Sequence, residues 1–400
     1  KKYKIMEKVV LAYSGGLDTS FCVKYLKNEL HLEVHSVLVN TGGFSENELV
    51  SVENRAYELG VFSHTNKNIL EDFYDKAIKY MVFGNVLKNN TYPLSVSAER
   101  VFQAIEVVKY AKQIGAKYVA HGSTGAGNDQ VRFDMIFQIL APEIEIITPI
   151  RDLKLSRQEE IEFLKLQGVD YSWEKAKYSI NKGIWGTSVG GVETLTSNEA
   201  LPESAYPSQL EKTEPLDVTL HFEKGELVGF NNEFDSPVNN ILKLEAIAST
   251  YAIGRDIHVG DTIIGIKGRV GFEAAAALII IKAHHTLEKH VLSKWQQYWK
   301  EQLGNWYGML LHEGQYFDPV MRNIEVFLTD SQKTVSGEVF VTLKPYHFSI
   351  NGIESKHDLM KSKFGVYGEI NKDWTANDAK GFIKIVGNAT KIYHSVNSEL

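Results

Sequence analysis

Short apolar runs alternate with helical periodicity over the first 170 residues. The apolar runs end in turn residues and are predicted to be buried strands at 8–13, 34–39 and 118–121. Apolar side chains at helical spacing predict a first helix that carries Phe21 and Leu26, and further helices at 46–59, 69–87 and 97–114. This alternation is typical of a doubly wound α/β domain, a parallel sheet that binds ligands at the carboxyl ends of its strands.

The pattern changes after about residue 170. Strand-like segments separated by turn residues are predicted at 218–222, 226–230, 263–266 and 338–343. A Pro-containing stretch at 197–215 is predicted to be an extended connection, and an apolar stripe predicts one long helix over 286–312, ended by Gly314. We therefore expect a nucleotide-binding domain at 1–170, a mixed α+β domain at 171–370, and a tail at 371–400 that could serve as an oligomerisation arm.

Composition narrows the class of protein. The chain has 400 residues, 44% of them hydrophobic and 23% charged, which is typical of a globular protein with two domains. A net charge of −7 argues against broad binding to nucleic acid or to an anionic membrane. Cys22 is the single cysteine, so disulfides and two-cysteine sulfur relays are excluded. With no apolar run of membrane-spanning length, we expect a cytoplasmic protein.

A glycine-rich loop follows the first strand. Its sequence, Ser14-Gly15-Gly16-Leu17-Asp18-Thr19-Ser20, combines glycines that admit phosphate oxygens, three hydroxyl donors and the start of a helix. It lacks the Gly-Lys-Ser/Thr ending of a P-loop, so no lysine is placed for a γ-phosphate. The loop is therefore predicted to hold a pyrophosphate. Asp18 either contacts Mg²⁺ through water or caps the helix.

Two blocks of the sequence resemble a known family. The segment from Ala12 to Ser20 resembles the PP-loop ATP pyrophosphatases and, among them, the argininosuccinate synthase family. The segment from His121 to Phe133, HGSTGAGNDQVRF, is similar to a second block of that family, with Ala126 in place of its usual lysine. The resemblance implies attack of the citrulline ureido oxygen on the α-phosphorus of ATP, followed by displacement of AMP by the aspartate amine.

The resemblance also implies site residues. Those expected at ATP are Ala12, Tyr13, Ser14, Gly15, Gly16, Leu17, Asp18, Thr19, Ser20, Val39 and Gly122. Those expected at citrulline or aspartate are Tyr92, Ser97, Thr124, Asn128, Asp129, Arg132, Ser179 and Ser188. Asp18 and Asp129 are the expected catalytic carboxylates. ATP acts as a substrate with Mg²⁺, no dedicated protein metal site is expected, and the resemblance implies a homotetramer.

The citrulline pocket departs from the family in two places. Phe272 stands where the family has a tyrosine, and Gly260, twelve residues earlier, stands where it has a glutamate. Three interpretations stay open: Asp261 or Asp256 takes over the glutamate's role, the substrate is an N-acylated (acetyl or succinyl) citrulline without a charged amine, or the pocket is looser. For a succinyl carboxylate, Arg100 and Lys182 are the candidate cations.

Two other classes of function are also considered. A PP-loop tRNA-modifying enzyme would share the adenylation chemistry, but the single cysteine and the acidic net charge argue against sulfur transfer and tRNA binding. A non-catalytic nucleotide-binding module would need the phosphate loop but not Thr124, Asn128, Asp129 and Arg132.

Overall fold

The structure is a computed structural model that describes residues 6–169, 177–365, 367–368 and 372–398. The strands are β1 (Lys8–Ala12), β2 (Glu33–Asn40), β3 (Ser63–Asn68), β4 (Tyr118–Ala120), β5 (Glu145–Ile147), β6 (Ser179–Gly183), β7 (Gly186–Gly190), β8 (Leu216–Glu223), β9 (Glu226–Phe230), β10 (Glu233–Phe234), β11 (Arg255–Asp261), β12 (Lys267–Glu273), β13 (Gly337–Lys344) and β14 (His347–Glu354).

Helices account for most of the remaining regular structure. They are α1 (Leu17–Asn28), α2 (Glu46–Leu59), α3 (Leu70–Phe73), α4 (Lys79–Phe83), α5 (Glu99–Ile114), α6 (Asp129–Leu140), α7 (Pro149–Leu153), α8 (Arg157–Leu166), α9 (Pro237–Ala248), α10 (Ala275–Val291), α11 (Lys294–His312), α12 (Pro319–Ser331), α13 (Ala376–Val386) and α14 (Asn388–Val396).

The first five strands form one parallel sheet in the order β3-β2-β1-β4-β5. The strand order reverses between β1 and β4, because the chain first builds outward to β3 and then returns to the other side of β1. Residues at the centre of the sheet, such as Val10 and Val119, are fully buried under helices on both faces. The expected doubly wound α/β fold is confirmed, and its crevice lies at the carboxyl ends of β1 and β4.

The second half contains two antiparallel sheets. One has the order β10-β9-β8-β13-β14 and the other the order β11-β12-β7-β6. In the first sheet, β8 and β13 pair along their full lengths, and their inward residues, among them Leu220 and Val339, are fully buried. The expected mixed α+β architecture is therefore confirmed for this half of the chain.

Three predicted elements differ from the structure, two of them in the second half of the chain. The segment 263–266, predicted as a strand, is the turn between β11 and β12, closed by a hydrogen bond from Thr262 N to Ile266 O at 2.7 Å. The single helix predicted over 286–312 is two helices. The first, α10, ends at Val291, and Ser293 caps the start of α11 by accepting from Gln296 N. The apolar stripe continues through the break, so periodicity alone did not reveal it.

The helical stretch predicted at 69–87 ends earlier, at Phe83. Between α3 and α4 the chain widens into one π-helical turn, Tyr74–Ile78, so that the three pieces form a continuous helical segment. Gly84 follows the last residue of α4. There is no room for a side chain at Gly84, because an added Cβ would lie 3.0 Å from the Gly304 Cα of α11. This close approach of α11 requires glycine at position 84, and the helix ends because Asn85 has a left-handed φ of +48°.

The C-terminal segment forms two amphipathic helices, α13 and α14, with no buried residue in either. Large apolar side chains on them are more than half exposed, including Phe382, Ile383, Ile392 and Val396. None of the helices in the described ranges is both long enough and apolar enough to cross a lipid bilayer.

The single cysteine is part of the core beside the phosphate loop. Cys22 lies on α1 with no exposed surface. Burial raises the pKa of its thiol well above the usual range, and the neighbouring carboxylates of Asp18 and Glu160 raise it further. The thiol is therefore protonated and shielded from solvent.

Candidate active site

The glycine-rich loop joins β1 to α1, as predicted. Gly15 has a φ of +75°, and an added Cβ would lie 3.0 Å from Val52 Cγ2, so both its conformation and its surroundings require glycine. Ser20 Oγ donates to Gly16 O at 2.7 Å, and the Ser14 and Thr19 hydroxyls lie 3.4 Å apart. The loop therefore presents backbone N–H groups and two hydroxyls around one concave turn.

Asp18 does not cap α1, because the N-cap position is Gly16 and no side chain accepts there. Its carboxyl group lies in the first turn and is hydrogen-bonded to the buried Glu160 of α8. Burial raises the pKa of Asp18, and burial together with the Asp18 charge raises the pKa of Glu160 to about 8. The two carboxyl groups therefore share a proton near neutral pH.

The second sequence block meets the first at the point where the strand order reverses. An added Cβ at Gly122, just beyond β4, would lie 3.3 Å from the carbonyl carbon and Cβ of Asp18. Ala12 ends β1, and Val39 lies near the end of β2, so both line the same edge of the sheet. The Tyr13 ring packs edge-on against His64 at 5.8 Å, on the β3 side of this edge.

Asp129 begins α6 and sits between two arginines. Its Oδ1 accepts from Arg132 Nη1 at 2.8 Å, and its Oδ2 accepts from Arg100 Nε at 3.0 Å. Burial alone would raise the pKa of Asp129, but the two guanidinium groups outweigh it and lower the pKa below the usual value. Asp129 is therefore ionised, and its charge fixes the orientation of both arginines.

Arg132 is almost fully buried, and two hydrogen bonds orient its guanidinium group. Its Nε donates to His312 O at 2.9 Å, at the end of α11, while Nη1 binds Asp129. Its Nη2 is buried and has no hydrogen-bond partner among the described residues. A buried guanidinium N–H without a partner is costly, so this atom is available for a carboxylate or carbonyl oxygen of a ligand.

Asn128 and Thr124 differ in their surroundings. Asn128 Oδ1 accepts from Ile263 N at 2.8 Å, which fixes the turn between β11 and β12 against the start of α6. Thr124 is exposed in the loop after β4, near Gly125 and Gly127. The asparagine therefore joins the two halves of the site, and the threonine faces solvent.

The hairpin β6–β7 brings the second half of the chain to the sheet edge. Ser188 of β7 is buried opposite Phe272 of β12, whereas Ser179 at the start of β6 is exposed. Arg100 Nη2 donates to Asn181 Oδ1 at 3.3 Å, so the hairpin contacts the arginine that holds Asp129. The structure thus brings Ser188 close to this arginine pair but leaves Ser179 at the margin.

Tyr92 and Ser97 lie in the segment that leads into α5. Tyr92 is buried, with its ring 5.4 Å from Phe272 and 5.0 Å from His258, and Ser95 Oγ donates to its hydroxyl at 3.4 Å. The buried Ser97 Oγ has no hydrogen-bond partner in the described part of the chain. We refer to Tyr92, His258, Gly260 and Phe272 as the Tyr92 end of the site.

Neither Asp256 nor Asp261 of β11 reaches the position that a side chain at residue 260 would take in the site. Asp261 faces the opposite side of the strand and forms an ion pair with Lys267 at 2.6 Å. Asp256 accepts from Ile257 N at 2.7 Å and lies four residues from Gly260, about 13 Å along the strand. The interpretation that one of them replaces the missing glutamate has no support in these contacts.

Sequence reasoning does not find several residues that lie beside the candidate site. Glu160, His258 and His312 are buried beside predicted site residues, but each lies on an element that carries no motif. Glu99 is a further case, since it accepts from Thr41 Oγ1 at 2.7 Å and burial raises its pKa to about 7. Its position next to Arg100 was visible in the sequence, whereas its burial was not.

No cluster of three or more His, Cys, Asp or Glu side chains arranged for a metal ion occurs within the described residues. The loop nonetheless fits a nucleotide with Mg²⁺: an added Cβ at Gly16 would lie 3.5 Å from the Ser14 hydroxyl oxygen of the loop, and Asp18 lies in the first turn of α1 that follows. Mg²⁺ usually binds one or two carboxylates together with phosphate oxygens rather than an all-protein cage.

Comparison with known proteins gives one family across the chain. Residues 8–170 match the arginosuccinate synthase N-terminal HUP domain, and residues 178–393 match the arginosuccinate synthase C-terminal domain.

Similar proteins of full length carry the same name. The argininosuccinate synthase of Dictyoglomus turgidum is 38% identical over 390 residues, 97% of each chain. That of Methanocaldococcus jannaschii is 36% identical over 392 residues, 97% of this chain and 98% of the relative, and that of Sulfurisphaera tokodaii is 35% identical over 383 residues, 95% and 97%. These matches favour neither a tRNA-modifying enzyme nor a non-catalytic module. The chain belongs to the argininosuccinate synthase family.

Proposed function

We propose that the protein is a carbon–nitrogen ligase that joins the ureido group of citrulline to aspartate with the cleavage of ATP to AMP and pyrophosphate. The observation that carries the proposal is the meeting of a lysine-free phosphate loop with the Arg100–Asp129–Arg132 cluster at the carboxyl ends of β1 and β4. The relatives named argininosuccinate synthase support the same reaction.

The first step forms an adenylate. The ureido oxygen attacks the α-phosphorus of ATP, and the bond to the β-phosphate oxygen breaks, releasing pyrophosphate. Positioning and neutralisation of charge do most of this work, so no nucleophilic side chain is needed. In the proposal, the loop from Ser14 to Ser20 holds the phosphates through backbone N–H groups and the Ser14 and Thr19 hydroxyls.

The second step uses aspartate. Its deprotonated amine attacks the activated carbon, and the C–O bond breaks so that AMP leaves with the former ureido oxygen. The nitrogen then releases one further proton and keeps one N–H in the product. We assign aspartate to Thr124, Asn128 and Asp129, and citrulline to Tyr92, Ser97, Arg132, Ser179 and Ser188. The buried Arg132 Nη2, which has no partner in the described chain, supports the assignment, because it is a suitable donor for a substrate carboxylate.

Mg²⁺ would bind the ATP phosphates with help from Asp18 and would neutralise their charge. Glu160 supports this assignment, because a carboxyl group that shares its proton with Asp18 can release it when a cation binds nearby. The chain's own contribution is to hold Asp18 at the start of α1, against Gly122.

A product assay tests the proposed function. The protein is incubated with Mg-ATP, citrulline and aspartate, and then with each amino acid omitted in turn. AMP and pyrophosphate should accumulate in equal amounts only in the complete mixture. ADP and orthophosphate as products would overturn the proposal, as would turnover without aspartate at the full rate.

We also propose that the protein is a homotetramer and that residues 371–400 form an oligomerisation arm. The support is the apolar surface of α13 and α14, which includes Phe382, Ile383 and Val396, each more than half exposed. Helices that are hydrophobic along one face are stable when that face is covered.

A further inference from the structure

His258 fills the space beside Gly260 on β11. Because alternate residues of a strand face the same side, His258 and Gly260 share the face that is turned toward Tyr92. An added Cβ at Gly260 would lie 2.8 Å from His258 Nε2 and 3.0 Å from its Cε1. The imidazole therefore occupies the volume that a longer side chain at position 260 would need.

The imidazole has an atom to offer a ligand. His258 is 6% exposed and stacks on the Tyr92 ring at 5.0 Å with an interplanar angle of 22°. Its Nδ1 is buried and has no hydrogen-bond partner among the described residues. Buried polar atoms are rarely left in this state, so Nδ1 is a candidate contact for the substrate.

His258 is neutral near pH 7. Burial holds its pKa below the usual value, and the Lys88 ammonium lowers it further. Lys88 forms a β-bridge with Tyr92, which fixes its backbone at this end of the site. A neutral imidazole can accept a hydrogen bond from an N–H group of the substrate. It cannot balance a positive charge on the substrate in addition to that of Lys88.

The other groups that face this end are mostly basic. They are Lys88 and Tyr92 from the segment before α5, His312 from the end of α11, and Arg132 and Asp129 from α6. Burial lowers the pKa of His312 to about 2, with the Arg132 charge as the next cause, so this ring is neutral too. Two carboxylates act on these groups. Both oxygens of Asp129 bind arginines, and Asp261, which interacts with Lys88, is exposed and ion-paired with Lys267.

A free α-ammonium group would therefore be poorly placed here. It would lie near Lys88, without an unpaired carboxylate, in a partly buried site, and such a charge is costly to bury. An amide nitrogen carries no charge and donates one N–H, which matches the capacity of His258 Nδ1.

We propose that the site binds its acceptor with an uncharged α-nitrogen, as an Nα-acylated citrulline whose amide N–H donates to His258, in preference to the free amino acid. The proposal rests on the proposed function, with the same ureido oxygen and the same aspartate. The name that the relatives share gives it no support, so it stands on the residues around Gly260.

The structure also changes the candidate cation for a dicarboxylic acyl group. Arg100 is engaged by Glu99, Gln103, Asp129 and Asn181. Lys182 acts instead on Glu48 and Glu245, away from His258. Lys88 is the charge that acts on His258, so it is the group that a succinyl carboxylate would meet.

The test compares three acceptors with the full-length protein at saturating Mg-ATP and aspartate. Pyrophosphate release gives kcat/KM for L-citrulline, Nα-acetyl-L-citrulline and Nα-succinyl-L-citrulline. We expect at least a tenfold preference for an acylated acceptor over free citrulline. The acetyl and succinyl arms distinguish recognition of the amide alone from additional recognition of a carboxylate by Lys88.

Three variants assign the preference to His258. His258→Glu supplies a carboxylate and should shift the ratio of the two kcat/KM values toward free citrulline by at least tenfold. His258→Gln keeps an uncharged acceptor of similar size and should retain the wild-type preference. Asp256→Ala removes an exposed carboxylate further along β11 and should leave the preference unchanged.

The outcomes separate this inference from the proposed function. Aspartate-dependent AMP and pyrophosphate from any of the three acceptors supports the proposed function. A wild-type preference for free citrulline overturns the inference alone, and so does a preference that His258→Glu leaves unchanged. Absence of turnover with all three acceptors overturns both.

Discussion

Two glycines fix the surroundings of the phosphate loop, Gly15 on the side of α2 and Gly122 on the side of the segment after β4. Gly15 needs its left-handed conformation, and Gly122 needs the space that Asp18 occupies on its other side. A methyl group at Gly15 would strain the backbone of the loop. A methyl group at Gly122 would instead displace Asp18. Gly122 is the more informative of the two, because its substitution leaves the backbone conformation allowed.

Gly122→Ala should weaken ATP binding while the protein stays folded. The added Cβ would lie 3.3 Å from the Asp18 backbone, so the loop and α1 must move apart by a few tenths of an ångström. We expect the KM for ATP to rise about five- to thirtyfold, equivalent to about 1–2 kcal/mol. Gly352→Ala, on β14 with no atom within 4 Å of the added Cβ, is the control. An unchanged KM in Gly122→Ala would contradict the contact between the two segments.

Asp129→Asn should impair the second step more than the first. The change keeps the shape of the side chain and an oxygen that can accept from Arg132, but removes the carboxylate charge that the proposal assigns to the aspartate substrate. We expect kcat/KM for aspartate to fall at least about tenfold, or about 1.4 kcal/mol. Rapid-quench detection of the adenylate measures the first step separately. An equal loss in both steps would show that Asp129 is not specific to aspartate.

Among the secondary-structure elements, α10 and α11 are joined by a buried polar network. Glu288 of α10 accepts from Lys300 Nζ of α11 at 2.8 Å, and from Asn85 Nδ2 and Gln332 Nε2 at 2.6 and 2.9 Å. Lys300 Nζ also donates to Phe83 O at 2.5 Å, so the network includes the end of α4. The network fixes the relative positions of α10 and α11, which are joined by a short turn.

Lys300→Met should destabilise the protein strongly. It leaves the buried Glu288 carboxylate without its cation, which typically costs about 3–5 kcal/mol. Lys76→Met is the matched control, because its ion pair with Asp72 at 2.6 Å is exposed and is worth at most about 1 kcal/mol. Urea unfolding followed by tryptophan fluorescence measures both. Similar losses in the two variants would contradict the role of the network.

The same network predicts a pH dependence of stability. Burial lowers the pKa of His284 from 6.5 to about 4, so below pH 6.5 the unfolded chain takes up a proton that the folded chain does not. The free energy of unfolding should therefore fall as the pH is lowered from 6.5 to 4, by at most about 3 kcal/mol from this residue. His284→Gln should reduce this slope, whereas His347→Gln, at an exposed position, should leave it unchanged. An unchanged slope in His284→Gln would contradict the assignment.

The local pattern of apolar residues predicts secondary-structure elements well where either the helical or the strand period dominates. The strand at 226–230 and the helix at 46–59 have the predicted bounds, since apolar residues and turn or capping residues coincide at both ends. The strand predicted at 263–266 is wrong because the isoleucines of this turn are apolar yet exposed, as Ile264 shows. Local pattern cannot distinguish such a turn from a short strand.

The assembled molecule explains which parts of the site sequence reasoning could not reach. The loop at Ser14 and the block at Asn128 carry motifs, so the sequence predicts both of them. His258 and His312 come from β11 and from the end of α11, and their proximity to Arg132 depends on how the two halves pack. Tertiary contacts of this kind leave no local signal in the sequence.

The exposed C-terminal helices predict the assembly state. Ile383→Asp places a charge on the apolar face of α13 and should convert the proposed tetramer into smaller species. Asn377→Asp introduces the same charge on the same helix at an exposed polar position and should leave the mass unchanged. Light scattering after size-exclusion chromatography measures the mass, and a tetramer that survives Ile383→Asp would contradict the proposed arm.

Cys22 also has a practical consequence. Because the only thiol of the chain is buried and protonated, maleimide and iodoacetamide reagents should leave the native protein unmodified. Any cysteine introduced on the surface would then be the sole labelling position, with no need to remove the natural one. Pairs of dyes placed in this way on α13 and on β14 would report on the arm by energy transfer, in a protein whose core is unaltered.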